Sequence, residues 1–358
     1  MNQTSVVEQI LDLARWAPSG DNSQPWRFEL VDERHFVIHG HDTRESCIYD
    51  LDGRPSQLSL GALIETTAIA ASAHGLALTA VRRTGMPDHL PTFDITLVEQ
   101  ARCVAGLLLA AIPQRRVQRR PLRTRLLSGT DQHAMEAAVG SDHELLWFSR
   151  WPDRLRWARL LWANAGLRLR MPEAFETHRG VIEWDACFSK DRIPDQALGA
   201  DRLTLALMRT AMQNWERVAF MNRWLGGTIA PRLLMDLVPA LACAAHVAIV
   251  AKAPLLGIDD YIAGGRAVQR FWLTATHLGL QHQPAATPLV FARYLREGRS
   301  FTRNDQLVKD ARRSAERLEL LLGNKASRTV WLGRLGHGAP AQTRSVRHKL
   351  TELLQEGN

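Results

Sequence analysis

The chain has 358 residues, 46% of them hydrophobic and 23% charged, so it can bury a large core and hold one big domain or two of ordinary size. Lys and Arg outnumber Asp and Glu by 45 to 37, a formal charge of +8, yet no zinc-finger, RNA-recognition or basic-zipper pattern accompanies the excess, which argues against a nucleic-acid binder. The most apolar window, Leu237 to Ile258, carries His246, Lys252 and two prolines and reads as a buried helix end plus a strand, which excludes a membrane span.

In chain order, Val6, Val7, Ile10, Leu11 and Leu13 recur at helical spacing, and Arg27 to Val31 alternates as a strand does. Pro18 and Pro25 stop both elements and leave Ser19, Gly20, Asp21, Asn22, Ser23 and Gln24 in an irregular segment. Ser, Asp and Asn are ordinary turn residues, so the residues alone leave a capped turn and a ligand-holding loop both open. Phe28 to Val31 and His35 to Ile38 predict a hairpin around Asp32-Glu33. After a turn at Asp50 to Pro55, Ser59 can cap a helix that runs through Leu63 and Ile69 to a stop at His74-Gly75, with strands at Leu76 to Arg82 and Phe93 to Glu99.

From about 152 to 236 helix formers dominate, and Trp157, Trp162, Trp184, Trp215 and Trp224 predict one buried face per helix. Breaks at Pro172, Gly180, Pro194 and Gly226-Gly227 divide this region into about four helices. The tail predicts a charged amphipathic helix at Asn304 to Leu322, a strand at Thr329 to Leu335 and a last helix at Lys349 to Gln355.

Two segments repeat. Gly61 to Leu76 matches Gly265 to Leu280 at a constant offset of 204, each a helix opening on Gly and closing with Gly-Leu into a strand. A fainter echo of Leu11 to Leu30 lies at Met135 to Phe148, without the Pro-Ser loop. The pattern reads as a tandem duplication whose second loop has eroded.

Conventional catalytic patterns are missing: there is no G-x-S-x-G, H-E-x-x-H, Walker loop or G-x-G-x-x-G after a strand. The four cysteines lie far apart with no C-x-x-C, so neither a disulfide framework nor a zinc site is indicated, and a reducing compartment is the simplest fit. Met-Asn-Gln-Thr-Ser at the start does not resemble a secretory signal, and the expected location is the cytoplasm. No residue reads as a protein nucleophile or metal ligand, so any chemistry falls to a cofactor. Arginines cluster at 115 to 125 and 334 to 347; Arg115 and Arg119 would share a face if their segment is helical, fit either to grip a phosphate or to form a solvated basic linker.

The run Ala17-Pro18-Ser19-Gly20-Asp21-Asn22-Ser23-Gln24-Pro25-Trp26 resembles the A-P-S-x-x-N-x-Q-P-W segment of the FMN-dependent nitroreductase superfamily, and Arg115 to Arg119 resembles that family's R-x-S-x-R segment, with Val117 at the Ser position. The resemblance implies an α+β nitroreductase-like fold of two fused half-domains, a pseudo-dimer with antiparallel sheets, spanning 1–108 and 109–358 with the helical insertion at about 152–236. It implies FMN held by Pro18, Ser19, Gly20, Asn22 and Gln24 from the loop, by Arg115, Arg116 and Arg119, and by Arg344 and Arg347 as a late basic pair. Pro284, Ala286 and Thr287 resemble the segment whose backbone approaches flavin N5. The family's Asn and Lys at the flavin pyrimidine edge have no match, since the corresponding stretch is Leu237-Val238-Pro239-Ala240.

The loop occurs only in the first copy and the Arg motif only in the second, as in the duplicated, single-chain Acg-type branch. One composite FMN site in a monomer is the expectation. The implied activity is hydride transfer through flavin N5 to or from a small organic substrate, with NAD(P)H as donor and neither nucleic acid nor membrane as partner. The alternatives are a flavin-sequestering or regulatory protein without turnover, and a specialised dehydrogenase or flavin-cleaving enzyme on the same fold.

Overall fold

The computed structural model describes residues 5–100 and 106–355. Helix α1 (Val6–Ala14) starts from a reciprocal cap, in which Ser5 Oγ accepts from the Glu8 amide and the Ser5 amide donates to Glu8 Oε2 at 2.8 Å. It buries Val7, Ile10, Leu11 and Ala14. Strands β1 (Trp26–Leu30) and β2 (His35–Gly40) form the expected antiparallel hairpin, with Phe28 opposite Ile38.

Helix α2 (Arg54–Ser72) begins five residues before Ser59. Its cap comes from Asp50, whose carboxylate accepts from the Ser56 amide at 3.2 Å and the Ser56 hydroxyl at 2.6 Å, while Pro55 sits in the first turn, where no amide is needed. Ser59 lies inside the helix with its hydroxyl on the Pro55 carbonyl. Strands β3 (Leu76–Arg82) and β4 (Thr92–Glu99) complete this half.

The second half repeats the plan with α3 (Gly129–Ala138) and β5 (His143–Phe148). The insertion follows as α4 (Trp151–Arg168), α5 (Pro172–Val181), α6 (Arg202–Ala211) and α7 (Trp215–Trp224), ending in a π-helical stretch, Arg232–Leu237. Then come β6 (Ala245–Ala251), α8 (Ile258–His277), β7 (Gln281–Pro284), α9 (Thr287–Arg296), α10 (Asp305–Leu322), β8 (Thr329–Gly336) and β9 (Leu354–Gln355).

The first sheet has the order β9-β1-β2-β4-β3 and the second β7-β8-β6-β5. Without β9, both sheets therefore have the order first, second, fourth, third in their own halves, with antiparallel neighbours throughout. The fold is α+β, and its two sheets share one topology.

Between them α2 packs on α8. A Cβ on Gly61 would lie 2.1 Å from the Ile262 carbonyl oxygen, and one on Gly265 would lie 2.1 Å from that of Leu58, so each helix tolerates only hydrogen at the crossing. Glu65 is buried between Arg266 and Arg270, at 2.7 and 3.0 Å. One core joins α1, β1, β2 and α2 to Ile258, Ile262 and Leu353, and the other joins α3, β5, β6 and α8.

Three further expectations change. The chain around Arg115 to Arg119 is not helical: a short helix ends at Gln114 and Arg115 turns out of it at φ −55, ψ 129, so Arg115 and Arg119 do not share a helix face. The last helix is a single turn, Leu350–Leu353, after which β9 pairs in parallel with β1, Leu354 against Phe28. That turn is too short to bury Leu353 by itself, and the first half's sheet edge supplies the partner. Among the insertion's tryptophans, Trp157 is buried and stacks on His246 at 5.3 Å, whereas Trp224 is 65% exposed.

Candidate functional site

The loop between α1 and β1 holds its backbone in an uncommon shape. Asp21, Asn22 and Gln24 all have positive φ, at 49°, 64° and 47°, a strain that persists only where the surroundings impose it. The surroundings come from distant segments. Gln24 is fully buried; its Nε2 donates to the Lys190 and Asn22 carbonyls at 2.8 and 3.1 Å, and its Oε1 accepts from the His348 amide at 2.9 Å. Asn22 Nδ2 donates to the carbonyls of Arg192 and Val346, and its Oδ1 accepts from Arg347 at 2.7 Å. Ser19 Oγ accepts from the Gln24 amide. Asn22 and Gln24 thus spend their side chains inside the protein, while Gly20 at the tip is exposed.

Arginines gather beneath this loop. Arg347 is buried and donates twice to the Ala17 carbonyl, at 3.0 and 2.9 Å. Arg115 is buried over the Trp272 ring at 4.5 Å and donates to the Trp16 carbonyl at 3.0 Å, leaving its Nε without a partner. Arg344 lies over Trp16 at 4.8 Å and donates to the Pro113 carbonyl at 2.7 Å, and Arg116 donates to the Ala341 carbonyl at 2.8 Å.

Their partners are neutral carbonyls and rings. Among the described residues no carboxylate pairs with Arg115, Arg116, Arg344 or Arg347; Asp12 pairs with Arg15 at the rim, at 2.7 Å. Burial and the neighbouring Arg344 hold Arg347 down at about 9, burial and Arg116 hold Arg344 at about 10, and burial with Arg347 and Arg344 holds Arg115 well below the usual guanidinium range. Repelling guanidinium groups in poor contact with water describe a site that gains free energy when an anion enters.

Arg119 points to the other end of the loop. It donates to the Ala197 carbonyl at 3.0 Å and feels the charge of Asp21. Its backbone is pinned by Arg334, whose Nη2 donates to the carbonyls of Arg119 and Arg120 at 2.8 and 2.9 Å while its Nε donates to Gln283. Val117 bridges to His282, and the Gln118 amide donates to the His282 carbonyl, so the arginine segment runs beside β7 and Pro284. Ala286 precedes α9, and the Thr287 hydroxyl donates to Asn164 at 2.6 Å. Thus 18–24, Arg115, Arg344 and Arg347 come together, Arg116 borders them, and Arg119 leads from them toward 284–287.

The sequence carries no spacing that would single out Trp16, Trp272 or Arg334 for this site. A strap from the insertion also covers the loop: the pair Phe188–Ser189 runs parallel to Arg344–Ser345, and Lys190 pairs with Glu352 at 2.8 Å.

Fold and site together describe a duplicated α+β protein with one buried, anion-seeking arginine site at the junction of its halves. Residues 3–52 match the model of the nitroreductase family. An uncharacterized protein of Mycobacterium tuberculosis, MT1398, is 25% identical over 362 residues, covering 96% of this chain and 48% of that protein. A second, MT3212 of the same species, is 30% identical over 146 residues, 39% of this chain and 42% of that protein. The chain thus spans about half the length of the curated relatives it matches. Among solved structures, the FMN-dependent nitroreductase NfnB from Mycobacterium smegmatis in complex with NADPH aligns at 15% identity over 70% of this chain and 98% of that one, with a TM-score of 0.35, and at that score carries no residue over.

Proposed function

We propose that the chain binds one FMN between its two halves and acts as a flavin-dependent oxidoreductase on a small organic compound, with NAD(P)H as the hydride donor. The observation that carries this reading is the arginine group under the 18–24 loop, buried, mutually repelling and without a carboxylate, in a chain whose residues 3–52 match the nitroreductase model. Arg115, Arg344 and Arg347, with Arg116 at the edge, would hold the phosphate, through charge-assisted bonds worth roughly 1.5–3 kcal/mol each. The unpartnered Arg115 Nε fits that role. Pro18, Ser19 and Gly20 would border the cofactor directly, while Asn22 and Gln24 hold the loop in its left-handed shape. Arg119 and the 284–287 segment would lie toward the ring. When bound, flavin supplies hydride chemistry that no side chain in this protein provides.

The strap at 187–192 favours a second reading, a protein that encloses flavin and does not turn it over. Anaerobic mixing of the FMN-loaded protein with NADPH or NADH, followed at the flavin absorbance band, separates the two. Bleaching within seconds supports the oxidoreductase; a bound flavin that neither nucleotide bleaches supports storage. A purified chain that takes up no FMN in a binding titration overturns both.

A further inference from the structure

A second group of titratable side chains, which the cofactor reading does not use, lies beyond Asp21. Tyr49 Oη is 2.8 Å from His178 Nε2, and their rings are 5.7 Å apart. The guanidinium of Arg168, on α4, lies against Tyr49 and pairs with Asp236 at 3.1 Å. Cys47 Sγ reaches Asp21 Oδ2 at 3.7 Å, and both Arg168 and Arg119 face the Asp21 carboxyl. These residues come from the loop, the segment before α2, two helices of the insertion and its π-helical stretch, a form of helix frequent at functional sites.

Asp21, Tyr49, Arg168, His178 and Asp236 are each half-buried, so a small molecule can reach them from solvent. Their position relates them to the proposed cofactor site. Asp21 lies between Gly20 and Asn22, and Arg168 is one helical turn from Asn164, which binds Thr287.

Resting on the reading above, we propose that Tyr49, Arg168 and His178 form an oxyanion-binding, proton-donating subsite for the compound reduced at the cofactor. The chemistry follows from the pairing. An unsaturated or nitro substrate that accepts a hydride puts its electron pair on an electronegative atom, and that atom faces the Tyr49 hydroxyl and the Arg168 charge. The Tyr49 O–H bond breaks as the substrate's X–H bond forms; His178 passes the proton on Nε2 to Tyr49 and regains one at Nδ1 from water. One hydride, from NAD(P)H, and one proton, drawn from solvent, are then added; Tyr49 ends in its starting state, and His178 ends as the Nδ1–H tautomer, which returns to Nε2–H by proton exchange with water. Burial and Arg168 hold His178 at about 3, so it stays neutral and can both give and take a proton, while burial pushes the Tyr49 hydroxyl up and keeps it protonated. Arg168 with Asp236 adds no net charge but sets a positive end beside the hydroxyl.

The probe is 4-nitrophenol, a planar phenol whose visible band reports the phenolate. It is titrated into the purified chain with and without added FMN, and FMN uptake is measured on the same samples. Wild type is expected to bind the probe as phenolate and to lower its apparent pKa. Tyr49→Phe should weaken phenolate binding at least tenfold with FMN uptake unchanged. If Tyr49→Phe does not fold, the double variant Arg168→Gln with Asp236→Asn, which leaves no lone buried charge, should show the same loss. Equal phenolate binding by folded variant and wild type, or no phenolate bound by wild type, overturns this subsite whatever the flavin result. Absent FMN uptake by wild type instead overturns the cofactor reading and leaves the probe result to stand by itself.

Discussion

Gly61 and Gly265 face each other where α2 crosses α8, each with its missing Cβ 2.9–3.0 Å from the other's Cα and 2.1 Å from a carbonyl oxygen, of Ile262 and Leu58 respectively. The four residues form two pairs at the same separation of 204 that relates the sequence repeats, so the contact is symmetric about a local two-fold axis. Symmetry of this kind is what two copies of one unit produce when they are joined in a single chain.

Alanine at either glycine tests the crossing. In an exposed helix Gly→Ala gains about 1 kcal/mol, but here the new methyl meets backbone that cannot swing aside, an overpacking cost of about 1–3 kcal/mol or more. Gly61→Ala and Gly265→Ala are each expected to lower the midpoint of urea unfolding. A rise in midpoint for either would show that the helices separate without cost.

Arginine substitutions should divide into two kinds. Arg344, half-buried and bonded to one strong carbonyl acceptor, is expected on Arg344→Ala to lose about ten- to a hundredfold in FMN affinity with little change in melting temperature. Arg347→Ala should lose both affinity and stability, because it also releases Ala17 and Asn22. Flavin retention after dialysis and a thermal melt of each variant check the division; unchanged flavin retention in both counts against the phosphate assignment.

The C-terminal tail should matter to the first half. Leu353 is fully buried in the core built by α1, β1 and α2, and β9 closes the edge of that sheet. Ending the chain after Lys349 exposes this core and is expected to cost at least about 1.5–3 kcal/mol, the value of one buried leucine. Urea unfolding measures it, and an unchanged midpoint would mean that the tail only rests on the surface.

Three histidines held neutral by desolvation predict acid sensitivity. Burial is the leading cause in each case and holds His178, His246 and His282 at about 3, below the ordinary value of 6.5. The native state therefore binds fewer protons than the unfolded chain, and the stability these groups contribute is full above pH 6.5 and lost as pH falls through that window toward 3. Each can change the unfolding free energy by up to about 1.4 kcal/mol per pH unit there. Urea midpoints between pH 7 and 4 should fall steeply, and His246→Gln should reduce the slope by roughly one proton; a flat profile would contradict neutral burial.

Stoichiometry follows from the site's asymmetry. The loop at 18–24 and the arginines under it occur once, while the matching turn of the second half, Gly140-Ser141-Asp142, has neither. At most one FMN per polypeptide is expected, held by a monomer, because both halves of the site already belong to one chain. Flavin release read against protein mass from light scattering checks this, and two flavins per chain would rule it out.

Much of the fold is written locally. Ser5 with Glu8, the alternation of β1 and β2, and the Gly-Leu exits into β3 and toward β7 depend on neighbours within a few residues, so periodicity and caps suffice to place them. The loop at 18–24 and the arginine runs are visible as unusual composition, and the repeat at 204 already pairs the two helices that pack.

What the sequence leaves open is set by turns and tertiary contacts that periodicity does not encode. Asp50 rather than Ser59 caps α2 because Gly53 turns the chain to bring it there; Arg115 leaves the helix because Trp272 and the Trp16 carbonyl offer its buried guanidinium a place. The last residues form a strand because an open sheet edge 326 positions earlier offers a parallel ladder, with Phe28 in register with Leu354. Tyr49, His178, Arg168 and Asp236 have no common spacing at all. A one-dimensional pattern reports which face of an element seeks burial, but which polar groups meet in the space between elements depends on how whole layers pack, and only the tertiary structure decides it.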